Sequence, residues 1–240
     1  YIIPDRKVSL ADVREGMRNH YEGTELSMTN DPGAGVYKVP YRWRPMTFKS
    51  EGREYFNERA IATQQTGFVL IAQMRSWLPD AVGGILWFGV DDANTAVLTP
   101  MYTSITEIPE CYRRGNGSMT EFSWTSAFWI HNWVANMAYN RYEPMIRDIR
   151  PVQKELEDSY VDLVKNTDAK ALELLKSSPA QATAYLTEVC GKVANEATAR
   201  WKKLGEYLLV KYMDGNVKKE KDGKFEENGY GQIVSPNFPG

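Results

Sequence analysis

Residues Thr66–Arg75 read TGFVLIAQMR, residues Gly84–Asp91 read GILWFGVD, and residues Thr95–Tyr102 read TAVLTPMY. The first run is apolar on both faces in its middle, the pattern of a central strand covered on both sides. Asp92-Ala93-Asn94 between the other two is short and turn-like, so those two form a hairpin. Pro100 cannot donate to a ladder, which makes its end of the strand an edge or a bulge. These runs put a β-sheet in the first half of the chain.

Helical periodicity takes over on either side. Upstream, Ser9-Leu10-Ala11-Asp12 offers an N-cap with an acid three residues on. Leu10, Val13, Met17 and Tyr21 follow at helical spacing, and Gly23 can stop that helix. Asn30 to Pro45 is rich in Gly and Pro and reads as loop. Downstream of Gly115-Asn116-Gly117, Ser118-Met119-Thr120-Glu121 has the form of a capping box. The helix expected from about Phe122 to Glu143 is apolar nearly all round and therefore buried. Pro144 and Pro151 should kink or break it, leaving two shorter helices near 152–165 and 169–176. Ser178 then caps a long helix with Pro179 at its first position. Its stripe runs through Leu186, Cys190, Val193, Ala197, Trp201 and Leu208, and Gly215 ends it. A charged segment follows, with a hairpin turn at Lys221-Asp222-Gly223-Lys224, and from Gly229 the tail reads as loose.

Strands first and helices after make an α+β layout. The expected parts are a strand-rich region over 1–120, a helical region over 121–216 packed on it, and a charged hairpin or tail over 217–240. The boundary near residue 120 does not separate independent domains.

The chain of 240 residues is 42% apolar and 25% charged, enough for a real core. Its net charge of −2 gives no basic excess that would point to nucleic acid or to an anionic membrane surface. No run of eighteen apolar residues is present, so no membrane span is expected. The compartment stays open between export and the cytoplasm. The chain opens on Tyr1 and closes on Gly240. The expectation is a trimmed or processed chain.

Seven Trp and fourteen Tyr, many between Tyr37 and Tyr142, fill a core, line a ligand groove, or do both. Cys111 and Cys190 are too few for a disulfide framework. Cys190 lies on the apolar stripe as a small hydrophobe. Cys111 stands beside Arg113 and Arg114, cations that would favour its thiolate, yet no histidine is placed as its base. His20 and His131 form no metal-ligand pattern. Asp91, Asp92 and Asn94 supply too few oxygens for calcium and read as a turn. Arg59 precedes the first strand and Arg75 ends it. Either is a solvated strand end or faces an anionic group, which a guanidinium fork suits. The residues alone thus hold no complete catalytic set.

Several blocks in order carry a resemblance. They are Met17–Thr24 (MRNHYEGT), Tyr41–Pro45 (YRWRP), Arg59–Phe68 (RAIATQQTGF), Gln73–Pro79 (QMRSWLP), Gly83–Gly89 (GGILWFG) and Val97–Tyr102 (VLTPMY). Together they resemble the dipeptidase A family, cysteine-type N-terminal-nucleophile hydrolases related to secernins, bile-salt hydrolases and penicillin V acylases. The resemblance implies part of an αββα sandwich, a cysteine at the mature N-terminus as nucleophile, and dipeptide substrates. It implies no metal or organic cofactor. This chain starts with Tyr1, so it resembles the C-terminal part, and its partner would be the N-terminal half of the same protein. A homo-oligomer is a further partner expectation. Related acylases place an arginine near the nucleophile, matched by Arg59, and an oxyanion-hole asparagine, matched by Asn30 in Thr29-Asn30-Asp31-Pro32. A non-catalytic binding module that reuses the fold, with the aromatic groove as its site, is the rival reading.

Overall fold

The computed structural model describes residues 3–40, 47–56 and 59–231. Tyr41–Pro45, one of the resembling blocks, lies outside them. Helix α1 (Leu10–Met17) begins at the expected capping box: Asp12 N–H donates to Ser9 Oγ, and Asp12 returns the bond by accepting from Ser9 N–H. It ends at Arg18, one turn short of Gly23. A hairpin of β1 (Thr47–Ser50) and β2 (Arg53–Phe56) follows the loop.

The main sheet is β3 (Phe68–Met74), β4 (Gly84–Val90) and β5 (Thr99–Tyr102), antiparallel and in that spatial order, with the short helix α2 (Asp80–Gly83) between β3 and β4. The hairpin of β4 and β5 is as expected, and Pro100 sits opposite Trp87 on an edge strand. β3 departs from expectation. Among the described residues it is an edge strand rather than a central one, and only one of its faces is covered. Val69 is buried, but Phe68, Leu70 and Met74 are 61%, 42% and 62% exposed. The uninterrupted apolar run predicted cover on both faces, and within the described residues cover exists on one.

That covered face carries Val69, Ile85, Trp87 and Tyr102, all buried. The apolar core is completed by α3 (Ala127–Asn140), α4 (Tyr142–Leu175) and α5 (Pro179–Lys211). Arg14 of α1 lies over the Trp87 ring at 4.7 Å, and Tyr102 meets Asp168 of α4. α5 starts at Ser178, whose side chain accepts from Gln181 N–H, and its stripe from Leu186 to Leu208 is buried as expected. Gly205 faces Trp133 of α3, where a Cβ would come within 2.5 Å of the indole, so only glycine lets these two helices meet. One apolar cluster runs from Ala62 through the sheet to Tyr212, and the core therefore crosses residue 120 without a break.

Two further helix boundaries differ from the sequence reading. Ser118 and Glu121 pair across a tight turn instead of capping a helix, and α3 starts later, at Ser126. The second difference is that Pro144 and Pro151 do not divide the next segment. Arg141, at φ −149°, makes the break. Pro144 then falls in the first turn of α4, where a missing N–H is free of cost. Pro151 lies inside a continuous 34-residue helix on its exposed side. Packing of one α4 face against the sheet and α5 outweighs one lost hydrogen bond. The C-terminal hairpin, β6 (Val217–Lys221) and β7 (Lys224–Gly231), turns at Asp222-Gly223 as expected.

Candidate functional site

The chain leaves α1 at Arg18 and buries His20 completely. Asn94, in the connection from β4 to β5, meets it. The Asn94 amide has one orientation, because Nδ2 donates to Arg18 O at 2.7 Å and Oδ1 accepts from Tyr142 OH at 2.8 Å. The same Nδ2 lies 3.1 Å from His20 Nδ1, which also stands 3.3 Å from Glu22 Oε1. Nε2 is 3.1 Å from Tyr139 OH, and that hydroxyl donates to Asp92 Oδ1 at 3.0 Å. Asp92 Oδ2 in turn accepts from Thr95 N–H and Oγ1 at 2.9 and 2.8 Å, the turn expected from the sequence. Burial pushes the Asp92 carboxyl up against the hydrogen bonds from Thr95 and Tyr139.

The same connection is pinned from the helices. Gln153 of α4 donates to Ala96 O at 2.7 Å, and Arg150 donates to Asn94 O at 2.6 Å. Glu157 accepts from Leu98 N–H at 2.9 Å and pairs with Arg18 of α1. Every residue from Asp91 to Leu98 is buried, and polar side chains satisfy its backbone where no strand partner can.

Tyr139 and Tyr142 have a second role. Their rings pack with Met28 and Ala60 in a small apolar cluster of their own. Asn30 follows Met28 by two residues and Arg59 precedes Ala60, so the structure brings these two candidate segments to one place. Both residues are exposed there. Tyr21 OH donates to Arg59 O at 2.7 Å, and Ala62 N–H donates to Asn19 O at 3.0 Å. From Arg59 the segment runs along α3, tied by Gln64 to Asn136 at 3.3 Å and by Asp91 N–H to Gly67 O at 2.9 Å.

Arg75 is not part of that grouping. It lies beyond the far end of β3, roughly 26 Å along the strand from Gly67. Its guanidinium pairs with Asp168 of α4 and donates to Val82 O and, at 3.3 Å, to Gly83 O. Tyr102 OH donates to the same carboxylate at 2.6 Å. The anion that Arg75 faces is thus one of this chain's own.

The thiols are inert in form. Burial pushes the Cys111 thiol up, and Arg113 and Arg114 are exposed beside it without reversing that. The Cys190 thiol is pushed up to about 11 by burial. Both are free and buried. His131 stacks on Trp201 with centroids 5.1 Å apart, and burial holds its pKa down at about 3. Among the described residues no group of three His, Cys, Asp or Glu could hold a metal ion.

Asp91, which the sequence places in a turn, has a setting of its own. It ends β4 in the left-handed region, at φ 66°. Its Oδ1 accepts from Asn132 Nδ2 at 2.9 Å, and its buried Oδ2 has no partner. Burial pushes the carboxyl up to about 6. The signal for it in the sequence is the Asp91-Asp92 doublet.

These segments match the model of peptidase family C69 over residues 1–155, more than half the chain. The chain belongs to this family, which is cysteine-type. It is similar to a probable dipeptidase of Latilactobacillus sakei, 28% identical over 197 residues, which are 81% of this chain and 36% of that protein. A probable dipeptidase B of Lactococcus lactis is 27% identical over 208 residues, 85% of this chain and 38% of that protein. Dipeptidase A of Lactobacillus helveticus is 23% identical over 158 residues, 65% and 27%. The chain spans between 27% and 38% of the length of these relatives.

Proposed function

We propose that these 240 residues are the C-terminal part of a dipeptidase whose nucleophile, an N-terminal cysteine, lies outside them. The observation that carries this reading is membership of peptidase family C69 together with relatives named as dipeptidases. In this mechanism the thiolate attacks the dipeptide carbonyl carbon and its own α-amino group takes the proton. The amine leaves with that proton, and water hydrolyses the thioester. Asn30 donates its side-chain amide to the oxyanion. Arg59 lies beside the thiolate or grips a substrate carboxylate. The shared anchoring of their two segments on Met28 and Ala60 supports a common role. Neither thiol of the chain competes as nucleophile, because both are buried and pushed up.

The partner of this part is the rest of the same polypeptide. It packs on the outer face of β3, where Phe68, Leu70 and Met74 stand open beside a strand edge with no partner among the described residues. An open apolar face with a free edge is a surface for association. Covering it with a second sheet gives the αββα sandwich.

The test compares the full-length protein with the 240-residue chain on a dipeptide mixture, following free amino acids. The full-length protein is expected to turn over and to lose activity when its N-terminal cysteine is alkylated. The chain alone is expected to be inactive, since removal of a nucleophile costs several orders of magnitude in rate. Alkylation-sensitive turnover by the chain alone overturns the reading and moves the chemistry to Cys111.

A further inference from the structure

Helix α3 begins without a side-chain cap. The first N–H groups of a helix have no partner within it and carry its positive end. Ser126 is the residue placed to serve them. Its hydroxyl makes no capping bond, although the residue is only 5% exposed. Ser126 instead lines a cavity of about 310 Å³, together with Phe128 and Trp129 of the first turn. A buried hydroxyl that leaves its helix unserved and borders a cavity is free to serve a ligand there.

The cavity is built of fixed rings. Trp129 Nε1 donates to Ser118 O at 3.0 Å, and its ring lies over Gly117, where a Cβ would come within 3.0 Å of it. Gly117 also has φ 79°, which glycine adopts without strain. Opposite, Tyr112 stacks edge-on against Phe88 with centroids 5.1 Å apart, and its hydroxyl is within 3.0 Å of Thr99 Oγ1. Phe128 meets Trp129 edge-on at 5.7 Å. The rings are held before any ligand arrives, so little ordering cost remains for binding. Arg113 and Arg114 also line the cavity and are exposed. Arg113 makes a surface pair with Glu110 at 3.1 Å, the kind worth about 0–1 kcal/mol, and a long bond to Ile108 O at 3.5 Å.

We propose that this cavity binds an apolar amino-acid residue with a free carboxylate. The carboxylate takes the N–H groups of the first turn of α3 and the Ser126 hydroxyl, with the two arginines at the mouth. The side chain, best an aromatic one, lies among Phe88, Tyr112, Phe128 and Trp129. The proposal does not rest on the catalytic roles given to Asn30 and Arg59. Two sources present the chemistry, a peptide C-terminus and a released amino acid.

The experiment is calorimetric titration of the 240-residue chain with N-acetyl-phenylalanine, its amide, and N-acetyl-glycine. The acid is expected to bind saturably, with the amide and the glycine compound each at least ten-fold weaker. Ala-Phe and free phenylalanine separate the two sources by which binds tighter. Ser126→Asp supplies the helix with its own carboxylate cap, so it should keep or raise the melting temperature while weakening the acid at least ten-fold. Trp129→Ala should also weaken it. Equal binding of acid and amide, no saturation by 10 mM on the order of a very weak complex, or undiminished binding by Ser126→Asp overturns the proposal.

Discussion

Tyr139 donates its hydroxyl to Asp92 Oδ1 at 3.0 Å while its ring packs on Met28 and Ala60. One side chain therefore joins the buried connection between β4 and β5 to the two segments that carry Asn30 and Arg59. Tyr142 does the same through Asn94. Order in the exposed segments depends on hydrogen bonds made underneath them.

Removing the Tyr139 hydroxyl alone tests that dependence. Tyr139→Phe keeps the ring and its packing but leaves Asp92 Oδ1 and His20 Nε2 without their shared partner. An unsatisfied buried acceptor costs about 1–3 kcal/mol. Denaturant unfolding at pH 7 should show a loss of that size. A change within about 0.5 kcal/mol, the range of ordinary surface substitutions, would mean that water replaces the hydroxyl.

Arg75 and Asp168 tie β3 to α4 by a buried pair. Cutting one partner leaves a buried charge, which costs about 3–5 kcal/mol. Asp168 itself is only partly buried, so Asp168→Ala should lower stability by the low end of that range, and it leaves Tyr102 OH only the longer bond to Val164 O at 3.4 Å. If urea unfolding of Asp168→Ala matches wild type, the pair is not holding the sheet to the helix.

Asp91 sets a pH dependence of known sign. Its folded pKa, about 6, lies above the ordinary 3.8 because burial penalises the charge. A raised group contributes stability that is complete below the unfolded value and lost as pH rises through the folded one. Two units correspond to about 3 kcal/mol, an upper figure. His131, held at about 3, slopes the opposite way between its two values. The measurement is therefore the difference between wild type and Asp91→Asn. Asparagine tolerates the left-handed backbone and stays neutral. The variant should gain on wild type from pH 4 to pH 7, by up to about 3 kcal/mol. A flat difference would show that Asp91 is solvated.

Elements whose cause is local were legible in the sequence. The Ser9 capping box, Ser178 with Pro179, the Asp222-Gly223 turn and the Pro100 edge all follow from neighbours in the chain. What was not legible depends on distant partners. Pro151 is tolerated because the rest of α4 packs on the sheet and α5. β3 looks central because its outer face is apolar, and sequence does not say what covers that face. Arg75 reads as a site residue until Asp168, 93 positions away, is placed against it. The candidate site was legible only as a pair of residues, Asn30 and Arg59. The network beneath them spans the end of α1, the β4–β5 connection, α3 and α4, and no spacing rule joins those.

Arg59 gives the sharpest test of the proposed function. Its backbone is fixed, with Arg59 O held by Tyr21 and Ala60 buried against the tyrosines. Its side chain stands exposed at that anchored point. If it grips a substrate carboxylate or lies beside the thiolate, the planar fork matters as well as the charge. Arg59→Lys in the full-length protein keeps the charge and loses the fork. Since the Tyr21 contact is to the backbone, folding should be unchanged, and the melting temperature checks that. The expected result is a fall in kcat/KM for dipeptides of ten-fold or more, about 1.4 kcal/mol. A value within about three-fold of wild type, roughly 0.7 kcal/mol, would make Arg59 a surface residue and leave the site to Asn30 and the segments beyond this chain.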